Sequence, residues 1–391
     1  MELNKKKILI FADWFEPGFR AGGPIRSVAN FVHHLRSDFD LYVVTSNSDF
    51  GSYVPYEGIQ VNQFIRKEGF QIMYTSPGFL NLGEIDSLIK KTDPQIVYLN
   101  SMFSLTFSLK PLIACSRRGI SSKVVLAPRG MLKPSALHFK RFKKFFFLRV
   151  FRLLGFHKHL TFQATSESEV NDIKKVMGER SIIALLPNLP SEFNNNFQIP
   201  EKIAGKIRMI FVGRIHPIKN LDYILKILQT SPHRIELTII GNMEVKEYWN
   251  ACKMLIATLP FNITVNVLGE VPHSEITQLI SNHHLFMLLT RGENFGYSIY
   301  ESLCTGRPVL ISDQTPWQDL ETNKAGWALS LKDPASINLI VDLAAGMGQA
   351  EYDIWATGAY QYAKTYFVKS NLRSLYIQFF SNPIRSSQLV N

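Results

Sequence analysis

TRGENFGYSIYESLCTGRPVLIS, residues 290–312, decides how this chain is read. The apolar run HLFMLL (284–289) leads into it, and it closes on a second apolar run, PVLIS (308–312). Both runs have strand length. Between them, Gly292 and Gly296 flank an acidic turn, and Ser298 to Thr305 reads as a helix. Strand, turn, helix and strand make one unit of a parallel sheet. Asn294-Phe295-Gly296-Tyr297 then falls at a helix start, where backbone N–H groups point outward and suit a diphosphate. Glu293 lies in the turn and Glu301 inside the helix. That spacing puts one carboxylate at the strand end and the other behind it. Such a pair can accept from sugar hydroxyls on one side and ribose hydroxyls on the other. The plainer reading is a capped helix with two surface glutamates.

The same alternation extends both ways. Before residue 188, β-rich runs occur at KILIFA (7–12), LYVVTS (41–46), QIVYLN (95–100), KVVLAP (123–128) and LTFQAT (160–165). Helix-length segments at 24–36, 82–92, 107–118 and 136–154 separate them. A stretch rich in Pro and Asn, 187–206, interrupts the pattern and reads as a linker. A second series follows: IRMIFVG (207–213), IELTIIG (235–241), ITVNVLG (263–269), HLFMLL, PVLIS and GWALS (326–330). Two α/β series joined by one linker predict two doubly wound lobes facing a cleft, with chemistry at the carboxyl ends of the strands. Residues 349–380 read as two further helices.

The chain's 391 residues suit two domains. With 46% hydrophobic and 19% charged residues the composition is globular, which excludes disorder as the main state. No fixed-period repeat occurs. The net charge of +11 is unevenly placed. Residues 1–188 hold 26 Lys+Arg against 15 Asp+Glu, and residues 189–391 hold 17 of each. The whole excess therefore lies in the first half and suggests an anionic partner there. Three widely spaced cysteines, Cys115, Cys252 and Cys304, read as buried thiols of a reducing compartment. The run after Lys5-Lys6-Lys7 is too short for a signal-peptide core, and no window of about 18 apolar residues exists, so a cytoplasmic protein is expected.

Two further blocks carry chemistry. In FVGRIHPIKNLDYIL (211–225), a strand ends at Gly213 and is followed by Arg214, Lys219 and Asn220. The two cations suit a phosphate-bearing ligand, and Asn220 is placed to cap the next helix. In EPGFRAGGPIRSVANFV (16–32), Gly22-Gly23 precedes a helix with Pro24 near its start, and adjacent glycines allow close approach of a ligand. No strand–G-x-G-x-x-G–helix fingerprint, P-loop lysine motif or H-E-x-x-H occurs. Asp38-Phe39-Asp40 spells a D-x-D, but it precedes a strand instead of following one, which disfavours a metal role.

These blocks, in this order, resemble the family-4 retaining glycosyltransferases of the GT-B fold. The resemblance covers nearly the whole chain. Its most specific element is E-x7-E, Glu293 to Glu301; smaller matches are PRGML (128–132), ATSESE (164–169), PN (187–188), G-x-V at 269–271 and TGRPVLIS (305–312). It implies an N-terminal acceptor-side domain over 1–188, a donor-binding domain over 189–366, and a C-terminal helix at about 367–391 crossing back to the first domain. It also implies roles. Arg214, Lys219 and Glu293 would be catalytic, the two cations holding the donor diphosphate and Glu293 binding the transferred sugar. Asn294, Phe295, Gly296 and Ser298 would complete the donor site, with Glu301 on the ribose and Gly22 and Gly23 approaching the phosphates. The implied reaction needs no metal and no cofactor: the nucleotide sugar, UDP- or GDP-linked, is itself a substrate. The implied acceptor is a glycan or polyprenyl-linked glycan, as in surface polysaccharide assembly. Many relatives carry a histidine after the fourth main strand of the first domain; this chain has Ser101-Met102-Phe103 there. A catalytically inactive GT-B-like protein that binds membrane or glycan is the rival reading, against which the intact charged residues argue.

HFKRFKKFFFLRVFRLLGFHKHL (138–160) carries seven Phe and seven Lys/Arg and no acid. At helical spacing Phe139, Phe142, Phe146, Val150 and Leu153 share one face, while Phe145 and Leu148 fall on the basic side. Two readings stay open. One is a helix peripheral on an anionic membrane, with Lys140, Arg141, Lys143 and Lys144 at the headgroups. The other is a core helix with a basic acceptor-side face. Nucleic acid is disfavoured, because the aromatics are clustered and not interleaved with the cations.

Overall fold

The computed structural model describes residues 5–138, 141–193 and 197–382. The chain divides into two units: Met1–Leu189 with Asn371–Asn391, and Pro190–Ser370.

In the first unit, the described residues form one sheet of eight strands: β1 (Lys7–Phe11), β2 (Asp40–Ser46), β3 (Ile65–Lys67), β4 (Phe70–Thr75), β5 (Ile96–Leu99), β6 (Val124–Leu126), β7 (Thr161–Ala164) and β8 (Ile182–Leu185). Their order is β3-β4-β2-β1-β5-β6-β7-β8. All neighbours are parallel except β3 and β4. Helices on both faces bury the inner strands completely, which is why Ile8, Leu9, Ile10 and Phe11 stand in a continuous apolar run. The sequence reading omits the β3–β4 hairpin and β8. The hairpin turns at Glu68-Gly69, with Gly69 at φ 81°, and Arg66 and Lys67 face water on its outer strand. That polar outer strand lacks the apolar signal, whereas β4 (FQIMYT) and β8 (IIAL) carry it and are still absent from the sequence reading.

In the second unit, the described strands are β9 (Lys206–Val212), β10 (Arg234–Ile240), β11 (Ile263–Gly269), β12 (Leu285–Leu288), β13 (Val309–Ser312) and β14 (Gly326–Leu329). They are all parallel, in the order β11-β10-β9-β12-β13-β14. Counted within the unit, this is the doubly wound order 3-2-1-4-5-6, whose direction reverses between β9 and β12. Ligand crevices in such sheets open at that reversal, beyond the carboxyl ends of the strands. The α/β, two-sheet expectation is therefore borne out.

The helix Leu372–Ser381 belongs to the first unit. Arg373 donates to the His34 carbonyl (3.0 Å) and to Asp38 (2.5 Å). One carboxylate of the D-x-D is thus held by an arginine, and Phe39 beside it is buried.

Three of the short sequence matches meet in one buried network of the first unit. Arg129 of PRGML, at φ 54°, donates to Asn100 (3.1 Å), to the Tyr98 hydroxyl (2.5 Å) and to Asn188 of the PN pair. Glu169 of ATSESE accepts from the Gly130 amide (2.5 Å) and from the Thr165 amide and hydroxyl (2.8 and 2.6 Å). Tyr98 passes the chain on to Gln163, which donates to Tyr376 on the helix Leu372–Ser381 (2.6 Å). Asn100, Gln163, Glu169 and Asn188 are buried and Arg129 is half-buried, so the network ties the strand ends to the C-terminal helix.

The basic segment splits. Pro134–His138 and Arg141–Leu153 are helical, and Phe139 and Lys140 lie outside the described residues. Phe151 is fully buried and Phe147 packs partly into the core, with Leu148 beside it. The face that carries Phe142, Phe146 and Leu153 is turned to solvent instead. Lys144 departs from its expected place at a membrane face: it is half-buried, donates to the Ala136 carbonyl (2.7 Å) and lies 5.1 Å over the Phe103 ring. Arg141 and Lys143 are exposed.

Candidate functional site

In the second unit the loops after β9 and β12 are stitched together at the point of reversal. The Arg291 amide and the Thr290 hydroxyl both donate to the Ile218 carbonyl (2.8 and 2.9 Å). Asn220 sits at the N-cap of the helix Leu221–Leu228, at φ 61°, but its side chain makes no capping bond. Its oxygen instead accepts from the Arg291 guanidinium (3.0 and 3.1 Å). The capping expectation for Asn220 is corrected accordingly: a side chain tied to a neighbouring loop cannot also reach its own helix.

This stitching brings Lys219 onto Glu293. Their side chains form an ion pair with 17% and 12% of their surfaces exposed. Two residues 74 positions apart in sequence are thus partners at one strand-end site. Arg214 is close by in sequence but paired elsewhere, with Glu244 at 2.5 Å. A Cβ on Gly241 would overlap the Gly213 carbonyl, so the backbones leaving the parallel strands β9 and β10 run in near contact, which sets Arg214 beside Glu244. Glu244 went unnoticed in the sequence, where nothing marks it as the partner of a residue 30 positions earlier.

Gly296 caps the helix Tyr297–Cys304 at φ 79°, and a Cβ there would meet Ile299 Cδ1 at 2.7 Å. The left-handed backbone favours glycine there. The start of that helix is the positive end of its dipole and favours an anion. Asn294 and Ser298 flank this start. Phe295 is only 6% exposed, and its ring packs against Tyr297 and Trp317 at 4.8 and 5.2 Å. Its carbonyl accepts from the Trp317 indole (2.5 Å). Its side chain is therefore core. Glu301, also buried, faces His273 Nε2 at 2.8 Å. His273 opens the helix His273–Ser281, just beyond the G-x-V match, and is a second partner the sequence reading missed. Arg307 of TGRPVLIS is 1% exposed and donates to the carbonyls of Ser281, His283 and Thr305. It ties strand to helix, and burial lowers its pKa.

Gly22 and Gly23 lie in the first unit, apart from the residues above in the division of the chain. Gly22, at φ 63°, caps the helix Gly23–Leu35, and open space surrounds the position a Cβ would take. Its loop is held by carboxylates. Asp49 accepts from the Phe19 amide (2.8 Å) and the Arg20 amide (3.2 Å). Glu16 pairs with Arg26 (2.5 Å) and His33 (3.2 Å), and its carbonyl accepts from the Tyr74 hydroxyl (2.5 Å). Partial burial alone would raise Glu16, but the His33 hydrogen bond and the Arg26 charge outweigh it and bring its pKa down to about 2. A folded pKa below the unfolded 4.5 means that stability is gained above pH 4.5 and lost as pH falls toward 2. The expected result is that Glu16→Gln melts lower than the wild type at pH 6, and that the gap closes between pH 4.5 and about 2. A gap independent of pH would remove this pairing from the account.

At the end of β1, Asp13 accepts from the Ser104 hydroxyl (2.6 Å), and burial raises its pKa. Where relatives of the resembled family have a histidine, Ser101 and Met102 are buried, the Ser101 hydroxyl 3.8 Å from Met131 Sδ. Cys115, Cys252 and Cys304 are buried free thiols. Among the described residues, no three His, Cys, Asp or Glu side chains cluster as metal ligands. Nor is any described helix long and apolar enough to cross a membrane.

Residues 192–345 match the family model "Glycosyl transferases group 1". The chain is 23% identical over 329 residues to the uncharacterized glycosyltransferase MJ1069 of Methanocaldococcus jannaschii, covering 79% of this chain and 81% of that protein. Among solved structures it is similar to Anabaena Alr3699/HepE in complex with UDP-glucose, with a TM-score of 0.70 and 16% identity over 96% of this chain and 99% of that one. It is also similar to the sucrose-phosphate synthase (tll1590) of Thermosynechococcus elongatus, with a TM-score of 0.69 and 14% identity over 96% and 100% of the two chains. The matched residues lie within the second unit, and the two-sheet architecture is the GT-B fold.

Proposed function

We propose that this protein is a glycosyltransferase that moves a sugar from a UDP- or GDP-linked donor to a glycan or lipid-linked acceptor in surface polysaccharide assembly, with retention at the anomeric carbon. The observation that carries the reading is the Lys219–Glu293 pair at the reversal point of the second sheet, beside the glycine-capped start of the helix Tyr297–Cys304. A cation, a helix N-terminus and a carboxylate together match a donor that is anionic at its diphosphate and rich in hydroxyls at its sugar. The match to a glycosyltransferase group 1 domain over the same residues supports it.

In this reading Lys219 moves from Glu293 to the donor diphosphate, and Glu293, freed, accepts from hydroxyls of the transferred sugar. Arg214, steadied by Glu244, adds a second cation. The amides from Asn294 to Ser298 hold the phosphate oxygens, and Glu301, steadied by His273, accepts from the ribose. Cations fixed in a partly dry site stabilise charge as it grows on the leaving nucleotide, the task a divalent ion performs in other transferases. The anomeric carbon–oxygen bond to the diphosphate breaks and the acceptor oxygen bonds on the same face. The departing phosphate takes the acceptor's proton, so no protein base is required.

The stereochemistry of transfer tests this directly. The anomeric configuration of the product, followed by NMR from the first turnovers, should equal that of the donor, and a chelator should leave the rate unchanged. An inverted product would overturn retention; a chelator-sensitive rate would overturn the division of labour given to Arg214 and Lys219. For Glu301→Gln, the donor KM should rise ~10-fold or more with kcat within a few-fold, since a hydrogen bond to a charged group contributes about 1.5–3 kcal/mol. An unchanged KM would take Glu301 off the ribose.

A further inference from the structure

The helix Arg141–Leu153 turns a row of large apolar side chains to solvent. Phe142 is 88% exposed, Phe145 63%, Phe146 69%, Leu153 77% and Leu154, just past its end, 56%. The inner side of the same helix already meets the needs of the core. Phe151 is fully buried and Phe147 stacks on it at 6.1 Å, with its edge toward Phe103. Residues 142, 146 and 153 fall along one line of a helix, so the outer rings form a ridge along its length. Cations border that ridge. Arg141, Lys143, Arg149, Arg152 and Lys158 are all exposed, and no Asp or Glu occurs anywhere from residue 94 to residue 166.

We propose that this ridge is a docking face for an anionic lipid bilayer, with the rings at the acyl boundary and the cations at the lipid phosphates. The occupant must be apolar under the ridge and negative beside it, along a helix about 20 Å long. A bilayer interface rich in anionic lipid offers both properties as a continuous plane. A soluble polyanion offers only the second, and would leave Phe142 and Phe146 in water. Lys144 turns inward and is not among the cations offered to the lipid phosphates. This inference does not rest on the donor chemistry, which belongs to the other unit.

The test is co-sedimentation of the full chain with vesicles of phosphatidylcholine alone, or with about one-third phosphatidylglycerol. The wild type should bind the anionic vesicles and not the neutral ones. Phe142→Ser with Phe146→Ser should weaken that binding ~10-fold or more while melting at the wild-type temperature and hydrolysing donor at the wild-type rate. Arg141→Gln with Lys143→Gln and Arg149→Gln should weaken it too, as should raised salt. The proposal is overturned if the wild type ignores anionic vesicles, or if the double Phe variant binds them as tightly as the wild type, which would mean adsorption by charge alone. It is also overturned if lipid-free sedimentation shows a dimer that the Phe variant abolishes, which would make the ridge a contact between copies. Lost lipid binding with intact donor hydrolysis separates this inference from the transferase reading.

Discussion

Lys219→Ala is expected to lower donor turnover by roughly 10³-fold. Removing one fixed donor that stabilises developing negative charge costs about 10²–10³ in kcat, and only 17% of the Lys219 side chain is exposed. A second effect comes from the other partner. With the ammonium gone, Glu293 keeps a carboxylate only 12% exposed and unpaired by Lys219, at a cost of about 1–3 kcal/mol in folding stability. The two effects separate in the double variant. Adding Glu293→Gln removes the carboxylate that has lost this ammonium, so the melting temperature should recover most of its loss while turnover stays down. If the single variant turns over donor at a near-normal rate, Lys219 has no place in the chemistry. If both activity and stability return in the double variant, the pair is structural.

The second large effect is on stability. Phe295 lies inside the most specific sequence block, yet its ring belongs to an aromatic cluster with Tyr297, Tyr300, Trp317 and Tyr366. Phe295→Ala should cost about 3–5 kcal/mol, the range for a large aromatic deleted from a packed core. For a unit of this size that is a fall of roughly 10 °C in its melting temperature. Phe295→Leu keeps most of the volume and should cost less than half as much, with donor KM and kcat within a few-fold of the wild type. A Leu variant that melts normally but loses donor binding would show the ring touching the nucleotide sugar. The motif would then be a contact, where the packing here makes it a support for Gly296 and the helix start.

Much of the fold can be read along the chain because parallel strands buried on both faces announce themselves as apolar runs, as IRMIFVG and HLFMLL do. Right-handed crossovers limit the orders such a sheet can take, and the observed order is one of them. Strands without that signal, such as Ile65–Lys67 with its exposed Arg66 and Lys67, pass unnoticed. The candidate site is legible in its glycines, glutamates and cations, whose local pattern implies a strand end or a helix start. What holds those residues is not legible. Glu244 holds Arg214, His273 faces Glu301 and Arg291 holds Asn220, and each pair joins separate strand ends of the folded sheet. The Phe-rich helix shows the same boundary from another side. Periodicity sorts its residues into faces, but apolar rings stand on both, so the sequence alone does not say which face the core takes.

The claim at the centre is that the second unit holds a nucleotide sugar through Lys219 and Glu293. A panel of UDP-, GDP- and ADP-sugars, each assayed for thermal stabilisation and for slow hydrolysis by the full-length wild type and by Lys219→Ala, tests it most directly. The account predicts that at least one donor stabilises the wild type and is hydrolysed by it, and that both signals fall sharply in the variant. If no member of the panel stabilises the wild type or loses its sugar, or if the variant responds as the wild type does, the claim is contradicted.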